Sequence, residues 1–241
     1  MFNKKKKAND HNTLNIIEPA KKFRKIDYNE VFRNIRTNIE YSTVGKNIKA
    51  INITSSLPGE AKSTTALNLA LIYATKYKRV LLIDADLRKS IQHRYLKLSN
   101  SKGLTNALMD YDDTKEIDSK YFQFVTHESF ADCLTVLTSG IKVPNPNELL
   151  SSRVFENFIN ELKKIYDFII IDCPPILSVS DAIPVGNIVD GTIFVCSSKK
   201  TSRKDAKTAI DILQKNHVNV LGTVLTQVEQ DENNGGYYYY Y

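Results

Sequence analysis

A strand, a short loop and a buried helix occupy residues 48–74, and this arrangement constrains the fold more than any other stretch of the sequence. The run Ile48 to Ile53 alternates apolar residues as a strand does, and Thr65 to Ala74 is apolar enough for a buried helix. Between them lies the sequence Ser-Leu-Pro-Gly-Glu-Ala-Lys-Ser, residues 56–63. In this context the loop N–H groups and the helix dipole point at one spot and favour a phosphate there. The stretch therefore predicts a phosphate-binding loop.

The loop departs from the usual G-x-x-x-x-G-K-[ST] pattern at both glycines, because Ser56 and Ala61 stand in their places. Lys62 and Ser63 are retained. We expect Lys62 to contact the β- and γ-phosphates of a nucleotide, Ser63 to bind Mg²⁺ and Thr64 to reach the α-phosphate. If the backbone φ at Ala61 is positive, alanine costs about 1 kcal/mol there. If φ is negative, the methyl group is tolerated unless it meets the phosphate. The loop is predicted to bind its nucleotide in either case, and the sequence leaves open whether Ala61 lowers the affinity.

Two further hydrophobic strands end in acidic residues. Residues 79–83 lead into Asp84, Asp86 and Arg88, and residues 168–171 lead into Asp172 and two prolines. Because ligands of open parallel sheets lie beyond the carboxyl ends of the strands, these carboxylates should meet the phosphate loop. Asp172 is predicted to hold the metal, with Asp86 near it and Arg88 offsetting the negative charge. Asp84 is the favoured proton acceptor for an incoming hydroxyl.

Strands alternate with helices along the rest of the chain. A turn at residues 144–150 leads into a helix predicted to continue to about Ile165, and a short helix starts at Asp181. A strand at 192–196, a helix at 202–216 and a last strand within 218–228 follow. This order predicts an α/β fold, a doubly wound and mostly parallel sheet flanked by helices. The predicted organisation is a basic flexible arm at 1–26, one domain at 27–228 and a flexible tail at 229–241.

The charge distribution argues against a nucleic-acid-binding body. The formal net charge is +6, but lysine runs at residues 4–7 and 21–25 carry much of it. These runs are consistent with a solvated arm or with contact to an anionic membrane surface. Cys133, Cys173 and Cys196 are far apart, so we expect buried thiols in a reducing cytoplasm. No secretion signal and no apolar run of membrane-spanning length is present.

Both ends of the predicted domain carry a distinctive pattern. Asp27 has the form of a helix N-cap, and Glu30, Arg33 and Arg36 recur every third residue on one side of that helix. By pattern alone, this side is equally a solvated face with an ion pair. The chain ends in five consecutive tyrosines after two asparagines and two glycines. Tyrosine is the one side chain of that tail able to accept a phosphoryl group, although a low-complexity tail is the plainer interpretation.

Together these features resemble the bacterial tyrosine kinases of capsule and exopolysaccharide assembly, which are P-loop kinases of the ParA/MinD-like fold. Residues 56–63, 82–88 and 169–175 resemble their Walker A, A′ and B boxes, and Glu-x-x-Arg-x-x-Arg resembles their ring-assembly motif. The resemblance implies ATP and Mg²⁺ as cofactors and autophosphorylation of the tail in trans within a homo-oligomeric ring. It also implies a transmembrane polysaccharide co-polymerase that activates the kinase, a tyrosine phosphatase, and a cytoplasmic location at the inner face of the membrane.

The implied site residues fall into four groups. The catalytic group is Lys62, Asp84, Asp86 and Asp172, and the metal ligands are Ser63, Asp86 and Asp172. The ATP-binding group is Ser56, Pro58, Gly59, Glu60, Ala61, Lys62, Ser63, Thr64 and Arg88. Glu30, Arg33 and Arg36 would serve oligomerisation, and the phosphorylation sites would be Tyr237, Tyr238, Tyr239, Tyr240 and Tyr241.

Two other functions remain compatible with the sequence. A ParA/MinD-type ATPase switch shares the fold, but those proteins carry a second lysine early in the loop, where this chain has Leu57. A catalytically weak nucleotide-binding regulator is the other alternative, with Ala61 as its defect. Incubation of the protein with labelled ATP would distinguish the three functions. Phosphotyrosine would support the kinase, free phosphate alone the ATPase, and neither product the regulator.

Overall fold

A computed structural model of this chain describes residues 27–45, 47–127 and 130–229. Seven strands are present in this part: β1 (Ala50–Ser55), β2 (Val80–Asp84), β3 (Gln123–His127), β4 (Phe130–Leu137), β5 (Phe168–Asp172), β6 (Gly191–Ser197) and β7 (Val220–Thr226). Eight α-helices accompany them: α1 (Tyr28–Ser42), α2 (Lys62–Ala74), α3 (Gln92–Tyr95), α4 (Leu104–Thr114), α5 (Pro146–Leu150), α6 (Arg153–Ile165), α7 (Ala182–Ile188) and α8 (Arg203–Lys215). A short 3-10 helix spans Ser119–Tyr121.

The strands form one sheet in the order β3-β4-β2-β5-β1-β6-β7. All neighbours run parallel except β3, which is antiparallel to β4 at one edge. Asp172 at the end of β5 lies in register with Asp84 of β2 on one side and Ile53 of β1 on the other. The sheet therefore brings the three predicted stations to one carboxyl edge, and the predicted fold class is confirmed.

The central strands β1, β2, β5 and β6 are buried along their whole length. Their side chains feed two hydrophobic layers. One layer packs against α1 and α2, and the other packs against the helices α4 to α8. Burial on both faces explains why these strands read as continuous apolar runs rather than as alternating ones.

Helix α1 begins as the sequence predicts. The Asp27 side chain accepts hydrogen bonds from the N–H groups of Asn29 and Glu30 and so caps the helix. Ile39 is buried, and Phe32 and Ile35 pack beside it against the α2 layer. The apolar stripe of the helix therefore faces the core, and its other side is left for polar residues.

Two stretches differ in part from the secondary structure that the sequence predicts. The helix predicted to continue to about Ile165 is confirmed as α6, whose start is capped by the Ser152 hydroxyl, which accepts the Phe155 N–H. The turn predicted at residues 144–150 contains the short helix α5. Between residues 90 and 130 the sequence suggests only a short helix at 103–108, and the structure has that helix as α4, together with α3 and the antiparallel strand β3.

Several predictions fall on residues outside the described ranges, among them the basic arm at 1–26 and the five terminal tyrosines. The side chain of Cys133 is also outside them. Cys173 and Cys196 are free and buried, as predicted. Within the described ranges, no helix combines the length and the apolar character needed to cross a membrane.

Candidate active site

The phosphate loop connects β1 to α2 and has two residues with positive φ. Gly59 has φ +81°, and Ala61 has φ +65° and ψ +23°, which is the left-handed region. A side chain is strained there because its Cβ approaches the following carbonyl oxygen, at a cost of about 1 kcal/mol. The backbone φ at Ala61 is therefore positive, so an alanine occupies a conformation in the loop that favours glycine.

Contacts from the far end of the sheet brace the loop. The buried Glu60 carboxylate accepts the Leu57 N–H at 2.9 Å and also contacts the Thr201 hydroxyl. At the end of β7, the Thr226 hydroxyl donates to the Glu60 carbonyl at 2.8 Å, and the Gln227 amide donates to the Gly59 carbonyl at 3.1 Å. These contacts offset the backbone strain by fixing the loop to two neighbouring strands.

The Lys62 ammonium lies at the centre of the site. Its Nζ is 3.1 Å from Oδ2 of Asp86, 3.2 Å from Oδ1 of Asp172 and 3.2 Å from Oγ of Ser63. All four residues are buried. Burial alone would lower the pKa of Lys62, but the carboxylates of Asp172 and Asp86 outweigh it and hold the pKa above its usual value. The lysine is therefore fully charged.

The same oxygens form a set that fits Mg²⁺. Two carboxylates and one hydroxyl converge on a single cation, which here is the lysine ammonium, and hard oxygen ligands are those that Mg²⁺ prefers. The three residues are the ones predicted as metal ligands, Ser63, Asp86 and Asp172. The structure therefore brings the predicted metal set together around the lysine.

A cavity of about 560 Å³ opens beside the loop. Seven of the nine predicted ATP-binding residues line it, together with the predicted metal ligand Asp86. The seven are Pro58, Gly59, Ala61, Lys62, Ser63, Thr64 and Arg88. Ser56, Glu60, Asp84 and Asp172 are fully buried and do not line it. For Glu60 the reason is its bracing role within the loop. Ser56 has a buried hydroxyl without a partner among the described residues.

Asp84 occupies a distinct environment behind the cavity. Its carboxylate accepts the N–H groups of Asp86 at 3.2 Å, Ile91 at 3.1 Å and Gln92 at 3.0 Å. Burial, and then the negative charge of Asp172, raise the pKa of Asp84 to about 8, and the Gln92 N–H opposes the shift. Asp84 therefore binds a proton far more readily than an ordinary carboxylate.

Gln92 was missed by the sequence analysis. Its side-chain amide donates to the Ser63 carbonyl at 2.9 Å and to Oδ2 of Asp172 at 2.8 Å, and its backbone N–H donates to Asp84. One fully buried residue thus joins the three boxes. Nothing in the local sequence marks it, because a glutamine opening a four-residue helix has no motif.

Arg88 has a partner that the sequence did not suggest. Its guanidinium binds Asp181 through two contacts, Nε to Oδ2 at 2.7 Å and Nη2 to Oδ1 at 3.1 Å. Asp181 is buried at the start of α7. The direct partner of Arg88 is therefore Asp181, and the charge of Asp86 acts on the arginine from a greater distance. The arginine joins the segment after β2 to the segment after β5.

The fold and the site define a P-loop nucleotide-binding protein, with a cation-centred acidic cluster at the carboxyl edge of a parallel sheet. Comparison with known families agrees, since residues 48–226 match the family model described as an AAA domain.

Relatives of known name place the chain more closely. It is 43% identical over 196 residues to the tyrosine-protein kinase YwqD of Bacillus subtilis strain 168, covering 81% of this chain and 79% of that protein. The crystal structure of the chimerical protein CapA2B2 superposes with a TM-score of 0.77 at 34% identity, covering 86% of this chain and 87% of that one. The kinase domain of Escherichia coli tyrosine kinase ETK gives a TM-score of 0.79 at 27% identity, over 99% and 88% of the two chains. This chain therefore belongs to the bacterial tyrosine-protein kinases.

The ParA-type ATPases share the architecture at a greater distance. A ParA family ATPase from Chlorobium tepidum superposes with a TM-score of 0.62 at 16% identity, over 76% of this chain and 75% of that one. Identity at that level shows a common fold alone. The likeness therefore does not favour the ATPase function.

We expect Ala61→Gly to raise the free energy of unfolding by about 1 kcal/mol, because glycine adopts the left-handed conformation without a Cβ clash. Chemical denaturation followed by circular dichroism measures the change. Titration with ATP and Mg²⁺ should show binding at least as tight as in the wild type.

Ala70→Gly is the matched control, since Ala70 lies inside α2. It should lower the free energy of unfolding by about 1 kcal/mol or more. If Ala61→Gly is also destabilising, the left-handed conformation of the loop is not the source of strain.

Proposed function

We propose that this chain transfers the γ-phosphoryl group of ATP to tyrosine hydroxyls, and that its own terminal cluster, residues 237–241, is a substrate. The observation that carries the proposal is the convergence of Ser63, Asp86 and Asp172 on one cation, beside an open cavity lined by the phosphate loop. Membership of the tyrosine-protein kinase family supplies the reaction class.

The residues around the loop have separate tasks in binding ATP. The loop N–H groups and Lys62 would bind the β- and γ-phosphates, and the Lys62 ammonium would exchange its two carboxylates for phosphate oxygens. Thr64 would reach the α-phosphate. The oxygens that Lys62 leaves, on Ser63, Asp86 and Asp172, would then hold Mg²⁺. That ion supplies charge neutralisation at the phosphates when bound. Gln92 keeps Asp172 oriented by donating to its second oxygen.

The tyrosine proton needs an acceptor as the new bond to phosphorus forms and the bond to the ADP oxygen breaks. We assign this role to Asp84, because its raised pKa suits proton transfer near neutral pH, whereas Asp86 belongs to the cation set. Asp84 lies behind the segment 86–91, whose N–H groups it binds. That segment therefore has to shift when the substrate tyrosine enters.

This assignment predicts a pH dependence. Asp84 accepts a proton when it is ionised, and its pKa in the ATP-free protein is about 8. The kcat/KM for phosphorylating a substrate chain should therefore rise as the pH rises from about 6 and level off above about 8.

Asp84→Asn should abolish that transfer while ATP still binds. Asp86→Asn, the comparison variant, should chiefly raise the Mg²⁺ concentration required. A normal rate and pH profile for Asp84→Asn would rule out Asp84 as the acceptor.

The point where the chain leaves the sheet bears on how the tail reaches a site. Gln227, just after β7, lines the cavity. Tyr237 lies ten residues further on, so a fully extended segment spans about 33–36 Å. A tail of this length can reach the site of its own chain as well as the site of a neighbouring chain. We nevertheless propose transfer in trans within a ring, on the family resemblance.

A mixing experiment tests the activity and its direction together. The active partner carries Tyr→Phe at residues 237–241, and the substrate partner carries Lys62→Met with Asp172→Asn. The paired changes remove one buried charge of each sign, which protects the fold of the substrate partner. Transfer in trans labels the substrate partner with phosphotyrosine, at a rate that increases with protein concentration. If the mixture stays unlabelled, and the wild-type protein in a separate sample labels itself at a rate independent of its concentration, the transfer occurs in cis.

The same assay tests the alternatives. Release of free phosphate without phosphotyrosine would support an ATPase switch. If neither product forms, the result would support a nucleotide-binding regulator.

We propose that full activity requires the cytoplasmic tail of a transmembrane polysaccharide co-polymerase, so the assay is run with and without that tail co-expressed. The partner would hold the kinase at the inner face of the membrane, where it would regulate capsular or exopolysaccharide synthesis and export. A tyrosine phosphatase would reverse the modification.

Helix α1 offers a surface for ring assembly. Glu30 and Arg33 are exposed, 3.5 Å apart, beside the exposed side chains of Tyr28 and Val31. Arg36 instead turns inward and donates to the Ile72 carbonyl of α2 at 2.9 Å. We therefore propose that Glu30 and Arg33 contact a neighbouring subunit. Arg36 would fix α1 to the helix that starts at the phosphate loop.

Arg33→Glu should reduce the assembled mass in light scattering while the thermal unfolding of the chain stays within about 2 °C of wild type. Its ion pair with Glu30 is worth a few tenths of a kcal/mol. Arg36→Ala should lower the unfolding temperature as well, because it removes a contact between helices. The control is Arg153→Glu, which makes the same charge change at the exposed start of α6 and should leave the assembled mass unchanged. An unchanged assembled mass for Arg33→Glu would exclude the α1 surface from the ring interface.

A further inference from the structure

A cluster of positive charge lies at the carboxyl edge of the sheet, outside the site described above. Residues 199–207 contain five cations, Lys199, Lys200, Arg203, Lys204 and Lys207, against the one acid Asp205. All five are exposed. They occupy the turn after β6 and the first turns of α8, and we call them the basic surface.

Helix stability does not explain this placement. Arg203 and Lys204 begin α8, and cations in the first turn of a helix oppose the helix dipole. Among the described residues, no carboxylate lies within ion-pair distance of Lys200, Arg203, Lys204 or Lys207. Four of the five cations of the basic surface thus have no ion-pair partner in the described part of the chain.

The three described residues after β7, 227–229, lie beside this surface. Gln227 accepts the Ser197 hydroxyl and donates to Gly59, and Glu229 pairs with Lys199 at 2.9 Å. The lysine holds the pKa of that glutamate below its usual range. The first acidic residue after β7 is therefore already bound to the basic surface, and the twelve residues 230–241 continue from there.

We propose that the basic surface is the docking site of the tail of the same chain in its phosphorylated form. Each phosphotyrosine adds about −1.5 to −2 charge, so several on one tail match the five cations. Tyr237 lies eight residues beyond Glu229, up to about 26–29 Å of extended chain, and Glu229 itself already contacts Lys199 of the basic surface. The inference depends on the proposed function for the phosphorylation itself.

Docking there would affect the active site directly. A Cβ built on Gly59 would come within 2.8 Å of Lys200 Nζ, so the basic surface adjoins the phosphate loop. A phosphorylated tail bound to it lies at the rim of the cavity and obstructs the next tyrosine. The docked tail is thus a retained product that slows further transfer and shields the phosphates from a phosphatase.

The experiment uses the full chain with a synthetic tail carrying five phosphotyrosines ligated at Gly235, so it does not depend on the chain's own activity. The variant is Arg203→Glu with Lys204→Glu, and glutamates in a first helical turn favour the fold. The control is Lys78→Glu with Lys164→Glu, two exposed lysines at the opposite edge of the sheet. Phosphorus NMR reports the mobility of the phosphates.

At about 50 mM salt we expect the wild-type and control resonances to be about threefold broader than those of the variant, and to narrow at about 500 mM salt. Phosphatase should remove the wild-type phosphates about threefold more slowly than those of the variant. Equally narrow lines in wild type and variant would overturn the proposal. A second pair of results would also overturn it: the variant loses binding to vesicles with about 30% phosphatidylserine, and the phosphates of the wild-type tail stay mobile. The basic surface would then bind the membrane rather than the tail. Failure of the wild-type chain to phosphorylate itself would instead count against the proposed function alone.

Discussion

The site depends on one buried ion cluster. Asp86 and Asp172 come from different strands, and burying two carboxylates near each other is unfavourable unless a cation compensates them. Lys62 supplies that cation from the first turn of α2, and Ser63 beside it completes the oxygen set. The arrangement holds the proposed metal ligands in place around a cation of the protein itself. In the proposed mechanism, ATP and its metal would replace that cation, and the oxygens would need little reorganisation.

The loop shows how neighbouring elements sustain a locally unfavourable conformation. Ala61 adopts a backbone geometry that suits glycine. The fold tolerates it because the adjoining residue, Glu60, is held by Leu57, Thr201 and Thr226. A buried acid that never faces the cavity thus maintains the shape of the cavity. This explains why a loop that lacks both usual glycines keeps the geometry of a phosphate cradle.

The sheet and the three boxes could be predicted from the sequence because their signals are local: apolar runs, acids at strand ends and a lysine that opens a helix. The same signals predicted which side chains, Ser63, Asp86 and Asp172, meet around Lys62. Sequence reasoning failed where the determining contact is distant in sequence. The Arg88–Asp181 pair and the Gln92 bridge join segments that the fold alone brings together. The inward turn of Arg36 was hidden for the same reason, because spacing shows which residues share a helix side but not where the next helix lies.

The fastening of β7 to the loop has a mechanical consequence. The last strand ends in two hydrogen bonds, from Thr226 to Glu60 and from Gln227 to Gly59. Tension applied to the segment beyond residue 229 would reach the nucleotide cradle through these bonds before it disturbed the hydrophobic layers. The segment after β7 is thus mechanically coupled to the phosphate loop. A partner that pulls on this segment would change the affinity for the nucleotide without unfolding the domain.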